Sequence, residues 1–100
     1  MKYVYKWSGE YWGFIQDEYL FSKNGMHKGF LVGINVYRED GTYLGALTED
    51  LYIMRSTLGP PPPLEASRPY PAPPMIPPEP LMQTTRTTLP QGLIDALEYY

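Results

Sequence analysis

Residues 19–34, YLFSKNGMHKGFLVGI, decide the fold, because the chain writes this stretch about three and a half times. Residues 3–18 read YVYKWSGEYWGFIQDE and residues 35–50 read NVYREDGTYLGALTED, in register at a period of 16 without insertion or deletion. Leu51 starts a fourth copy, LYIMRS, which runs out into prolines. Gly9, Gly25 and Gly41 form one column and Gly13, Gly29 and Gly45 another. Self-similarity at a fixed short period marks a repeat architecture and takes precedence over other signals.

Ser8-Gly9, Asn24-Gly25 and Asp40-Gly41 each stand between runs rich in aromatic and β-branched residues. Such dipeptides suit two-residue type I′ hairpin turns, which need positive φ. Each repeat is therefore expected to be a β-hairpin. The expected register sets Trp7 opposite Glu10, Tyr5 opposite Trp12, Val4 opposite Gly13 and Tyr3 opposite Phe14. The later repeats follow, with Phe21 opposite Lys28, Leu20 opposite Gly29, Tyr19 opposite Phe30, Tyr37 opposite Leu44 and Val36 opposite Gly45. A glycine facing an aliphatic residue leaves room for a bulge or for close approach by a neighbouring hairpin. All six column glycines read as structural.

The links Asp17-Glu18, Gly33-Ile34 and Glu49-Asp50 are expected to be equally tight, pairing Ile15 with Leu20, Leu31 with Val36 and Leu47 with Tyr52. Strand alternation then sorts the side chains into two faces. One is aliphatic: Val4, Ile15, Leu20, Leu31, Val36 and Leu47. The other is aromatic: Tyr3, Tyr5, Trp12, Phe14, Phe21, Phe30 and Tyr37. An open antiparallel meander usually keeps one polar face, so two apolar faces require closure about an axis or a partner.

This column pattern resembles the bacterial four-fold β-flower family, whose short hairpins stand as petals about a pseudo-four-fold axis. The residues that carry it are Tyr19-Leu20-Phe21, Asn24-Gly25 and Gly29-Phe30-Leu31, with their counterparts one period either side, over residues 2–56. The resemblance implies a fold, and brings no activity or catalytic residue with it. In the fourth unit Thr57 replaces the turn glycine, and Gly59, Pro60 and Pro61 stand where a return strand would begin. The expected fold is thus all-β, with three complete hairpins and a partial fourth. The last petal is left as a single strand whose edge the tail or another subunit would cover.

All 12 prolines follow Thr57, whereas 12 of the 15 aromatics precede Ser56. The chain accordingly divides into a hairpin domain (1–56), an extended proline-rich arm or linker (57–87) and a short C-terminal helix (88–100). Proline at this density favours polyproline II, and the scattered Leu64, Met75, Ile76, Leu81 and Met82 offer little to order it. In the final segment Thr88 suits a cap, Pro90 the first turn and Gln91 the capping box, with Leu93, Leu97 and Tyr100 on one stripe. Arg68, Pro71 and Pro74 fit the basic-x-x-Pro-x-x-Pro pattern read by SH3-type grooves.

The charges exclude further classes. Residues 1–56 hold six Lys or Arg against seven Asp or Glu, and the remainder two against four. Neither has the basic surplus of a nucleic-acid binder. There is no cysteine for a disulfide or a Cys-based zinc site, no signal-peptide apolar region, and no apolar run of about 20 residues to span a bilayer. A cytoplasmic protein with no membrane or nucleic-acid partner is the expectation. His27 is the only histidine and reads as a strand-surface residue opposite Ser22. Asp17-Glu18 and Glu49-Asp50 read as solvated turn charge. No phosphate loop or nucleophile elbow is present.

The function expected is therefore a non-catalytic assembly module, with no cofactor and no metal, forming a homo-oligomer through its apolar faces and C-terminal arm. The candidate interface is Tyr3, Tyr5, Trp12, Phe14, Phe21, Phe30, Tyr37, Leu93 and Leu97. The alternative is an adaptor that binds a ligand or protein through the aromatic face or through Arg68, Pro71 and Pro74. Binding through the face requires Tyr5, Trp12 or Phe21 to be exposed, and binding through the motif requires Arg68, Pro71 and Pro74 to be exposed and mobile.

Overall fold

A computed structural model describes residues 1–49, 52–56, 71, 73–81 and 92–99. Among these, the strands are β1 (Lys2–Tyr5), β2 (Tyr11–Gln16), β3 (Tyr19–Ser22), β4 (His27–Val32), β5 (Asn35–Arg38), β6 (Tyr43–Thr48), β7 (Tyr52–Ser56) and β8 (Leu93–Asp95), followed by a 3-10 turn at Ala96–Tyr99. Each strand pairs antiparallel with the next in sequence. A parallel contact between Tyr5 of β1 and Tyr52 of β7 closes the sheet on itself. The fold is all-β and closed, and its aliphatic core gathers Val4, Ile15, Leu20, Leu31, Val36, Leu44, Ile53, Ala96 and Leu97.

The hairpin loops differ from the expected two-residue turns. In the first, the Gly9 amide donates to Lys6 O at 2.8 Å and the Lys6 amide donates to Glu10 O at 2.9 Å. The loop is therefore three residues, Trp7-Ser8-Gly9, and only its glycine takes positive φ, at 95°. Gly25 (83°) and Gly41 (92°) repeat this, the pattern of a type I turn followed by a left-handed residue. Ser22 and Arg38 carbonyls accept from Gly25 and Gly41 as Lys6 does from Gly9.

The longer loop shifts the register by one, and a bulge shifts it back. Tyr5 pairs with Tyr11, Phe21 with His27 and Tyr37 with Tyr43, not with Trp12, Lys28 and Leu44. The latter three are the extra residues, each just before a second-column glycine. Beyond the bulges the expected pairs hold: Val4 with Gly13, Tyr3 with Phe14, Leu20 with Gly29, Tyr19 with Phe30 and Val36 with Gly45. The bulge carbonyls reach the next hairpin, where Trp12 O accepts from the Lys23 amide at 3.1 Å and Lys28 O from the Glu39 amide at 3.2 Å.

The links supply the true two-residue turns. Asp17 and Glu18, at φ 51° and 67°, join Gln16 to Tyr19, and Gly33 and Ile34 join Val32 to Asn35. Ile15 pairs with Leu20 and Leu31 with Val36 as expected. The third link is one residue longer, so Leu47 pairs with Ile53 and Thr48 with Tyr52. Ile53, not Tyr52, takes the fully buried column of Val4, Leu20 and Val36.

The fourth petal is completed from a distance. Ser56, Arg55 and Met54 pair with Leu93, Ile94 and Asp95, so β8 serves as the missing return strand. The expected C-terminal helix is thus corrected to a strand and a single 3-10 turn. A short helix is marginal by itself, whereas the open edge of β7 offers unpaired backbone groups that a strand satisfies. Gly92 enters β8 at φ 81°, and the Asp95 carboxylate accepts from the Leu97 amide at 3.2 Å. Thr88, Pro90, Gln91 and Tyr100 lie outside the described residues.

Candidate functional site

The two faces separate largely as their alternation predicts. Phe14 stacks on Phe21 with centroids 5.4 Å apart, and Phe30 stacks on Tyr37 at 5.5 Å. Tyr5, Phe14, Phe21, Phe30 and Tyr37 are all buried. The exposed aromatic platform required by the ligand-binding alternative is therefore absent at Tyr5 and Phe21, which are 2% and 3% exposed. Trp12 is misassigned to that face, because the bulge at its position turns it onto the aliphatic core, where it is half-buried. Leu97 joins the aliphatic core, while Leu93 packs with Tyr3 and Trp7 against Tyr5, Tyr11, Tyr52 and Met54. This second cluster lies at the seam where β1 meets β7.

Part of the proline segment lies along the aromatic face. The Tyr3 hydroxyl donates to Pro78 O at 3.0 Å, the Tyr5 hydroxyl to Leu81 O at 3.3 Å and the Gln16 amide to Met75 O at 2.7 Å. Ile76 reaches Gly25, where an added β-carbon would stand 2.9 Å from Cγ1. The prolines of this segment bring carbonyls but no amide donors, and the sheet meets three of the segment's carbonyls with two hydroxyls and a side-chain amide. Residues 71 and 73–81 are thus docked on their own sheet, not held off as a free arm. Pro71, Pro73 and Pro74 border a cavity of about 220 Å³ against Gln16, Tyr19 and Phe21. Two of the three motif residues, Pro71 and Pro74, are half-buried there; Arg68 lies outside the described residues.

The second-column glycines are fixed by close approach. A β-carbon on Gly13 would fall on the Phe21 carbonyl oxygen and one on Gly29 on the Tyr37 carbonyl oxygen. On Gly45 it would stand 2.7 Å from Met54 O. Bulge and glycine are one device, which lets successive hairpins cross at backbone contact.

Asp95 escaped the sequence reading. It is 4% exposed, and its carboxylate accepts from the Trp7 amide at 2.8 Å as well as from Leu97. One side chain thereby ties the last strand to the first hairpin loop. Its only sequence signal is a lone carboxylate in an otherwise apolar stretch, LIDAL.

The shifted titratable groups have local causes. Burial, then the neighbouring Tyr3 and Glu79, push the Tyr11 hydroxyl up to about 12. Among the described residues that hydroxyl has no hydrogen-bond partner. Burial also raises Tyr43. Asp40 is held below the usual carboxylate range by the Thr42 hydroxyl and amide, at 2.7 and 2.9 Å. His27 pairs with Phe21, not opposite Ser22. It lies beside Tyr19, with Nε2 3.1 Å from Gly29 O and Nδ1 3.9 Å from Glu39. Asp17 and Glu18 are exposed turn residues. No group of three or more His, Cys, Asp or Glu suited to a metal occurs among the described residues.

A family model described as "4-fold beta flower protein" matches residues 1–91. The match runs beyond the hairpins and through the proline-rich segment that partly lines the aromatic face. No curated protein and no solved structure matches the chain. The match covers most of the chain, its hairpins agree with that description, and the chain belongs to the 4-fold beta flower family.

Proposed function

We propose that the chain is a non-catalytic assembly module that pairs with a second copy through its aliphatic side. The observation that supports this is a depression of about 400 Å³ over the buried Ile15 and Leu31 and the half-buried Leu47, one repeat column, rimmed by Met1 and Ile34 and by the charged Lys2, Asp17 and Glu18. Met1 is 61% and Ile34 65% exposed, two large apolar side chains left in water at one depression, and exposed apolar surface with a polar rim marks interaction sites. The aromatic face is the weaker candidate, since Pro78, Leu81 and Met75 already occupy its hydrogen-bonding groups. An adaptor reading through Arg68, Pro71 and Pro74 would require the latter two to leave the sheet.

Light scattering on the full chain and on Ile34→Glu tests the reading. The wild-type chain is expected at the mass of two copies and the variant at one. A wild-type chain that remains monomeric up to millimolar concentration overturns it.

A further inference from the structure

A second cleft opens between the first and second hairpins, with Tyr11 and Trp12 in its wall. It measures about 320 Å³ and is bordered by Lys6, Glu10, Trp12, Lys23, Asn24 and Lys28, among others. That volume is at the small end of ligand pockets. Three ammonium groups against one carboxylate leave a formal surplus of two positive charges, in a chain whose net charge is −3. The Lys6 amine stands 3.8 Å from Glu10, with its side chain 26% exposed.

The repeat provides an internal comparison. One period on, the corresponding positions are Ser22, Met26, Lys28, Glu39, Asp40 and Leu44. Glu39 and Asp40 replace Lys23 and Asn24, and Leu44 replaces Lys28, so the positive surplus is lost. Glu39 also faces His27 across that junction. The fold therefore demands neither the lysines nor the indole at these places. The Trp12 backbone is held by its bulge and by the Lys23 amide, and the half-buried indole backs onto the aliphatic core.

We propose that this cleft binds a phosphomonoester carried on a flat ring, the phosphate among Lys6, Lys23 and Lys28 and the ring against Trp12. A phosphomonoester carries close to two negative charges near neutral pH, which matches the surplus. Lysine serves phosphate as a mobile point charge, and indole offers a broad surface to a planar ring.

The test is a nuclear magnetic resonance titration of the full chain with adenosine monophosphate, following the Trp12 indole N–H. Adenosine and inorganic phosphate, each alone, are expected to bind at least tenfold more weakly. Lys23→Glu, which copies Glu39, is expected to weaken binding at least tenfold with the remaining spectrum unchanged. Should it disturb folding, Lys28→Leu carries the test, since Leu44 fills that position in the third hairpin. No perturbation of Trp12 at millimolar adenosine monophosphate overturns the proposal. So does equal binding by adenosine, or binding undiminished in the folded variants.

Discussion

A β-carbon costs very different amounts at two glycines of this chain. At Gly13 it would land on the Phe21 carbonyl, in backbone that cannot step aside. At Gly33 it meets nothing within 4 Å, and only the positive φ of 63° resists it. Gly13→Ala is expected to destabilise by about 3 kcal/mol, as severe overpacking does, and Gly33→Ala by about 1 kcal/mol. Urea midpoints for the two variants check the order. Conversely, Glu18 holds φ 67° without being glycine, so Glu18→Gly is expected to gain about 0.5 kcal/mol once the added chain entropy is offset. At Tyr11 the raised pKa gives a sign. Below pH 10 both states are protonated; between 10 and about 12 the unfolded chain loses its proton first. Stability is therefore lost as pH climbs through that window. Tyr11→Phe is expected to flatten this limb of the pH–stability curve.

Among the elements, the hairpins were readable in the sequence and their loops were not. Ser-Gly, Asn-Gly and Asp-Gly fit both a two-residue turn and the last two positions of a three-residue one. Choosing between them requires knowing that Trp12, Lys28 and Leu44 are bulged, and the cause of the bulge is a carbonyl eight or more residues away. The two one-residue shifts cancel, which is why Val4 and Gly13 pair as expected although Tyr5 and Trp12 do not. β8 was illegible for a related reason. Its local signals favour a helix, and the edge that recruits it belongs to Tyr52–Ser56. Trp12, read as part of an aromatic face, belongs to the inter-hairpin cleft for the same bulge. Asp95→Ala tests the β8 attachment. It strands the half-buried Trp7 amide and the buried Leu97 amide and is expected to cost about 2 kcal/mol, with amide exchange in β8 accelerating before that of β3 to β6.

For the molecule as a whole, the core and its cover come from both ends of the sequence. Ala96 and Leu97 fill the aliphatic centre, and residues 73–81 line the aromatic side. Ending the chain at Ser56 would expose both faces at once, so that variant is expected to aggregate or lose its cooperative melt by circular dichroism. A folded, monomeric 1–56 would contradict this. The shared closure has a bearing on synthesis. Three hairpins leave the ribosome as local structures that fold early, but β8, the return strand that covers the edge of β7, begins 37 residues after Ser56. Throughout that interval β7 presents an unpaired edge, a sticky lip on the nascent protein. A second nascent chain on the same message could offer its own strand to that lip.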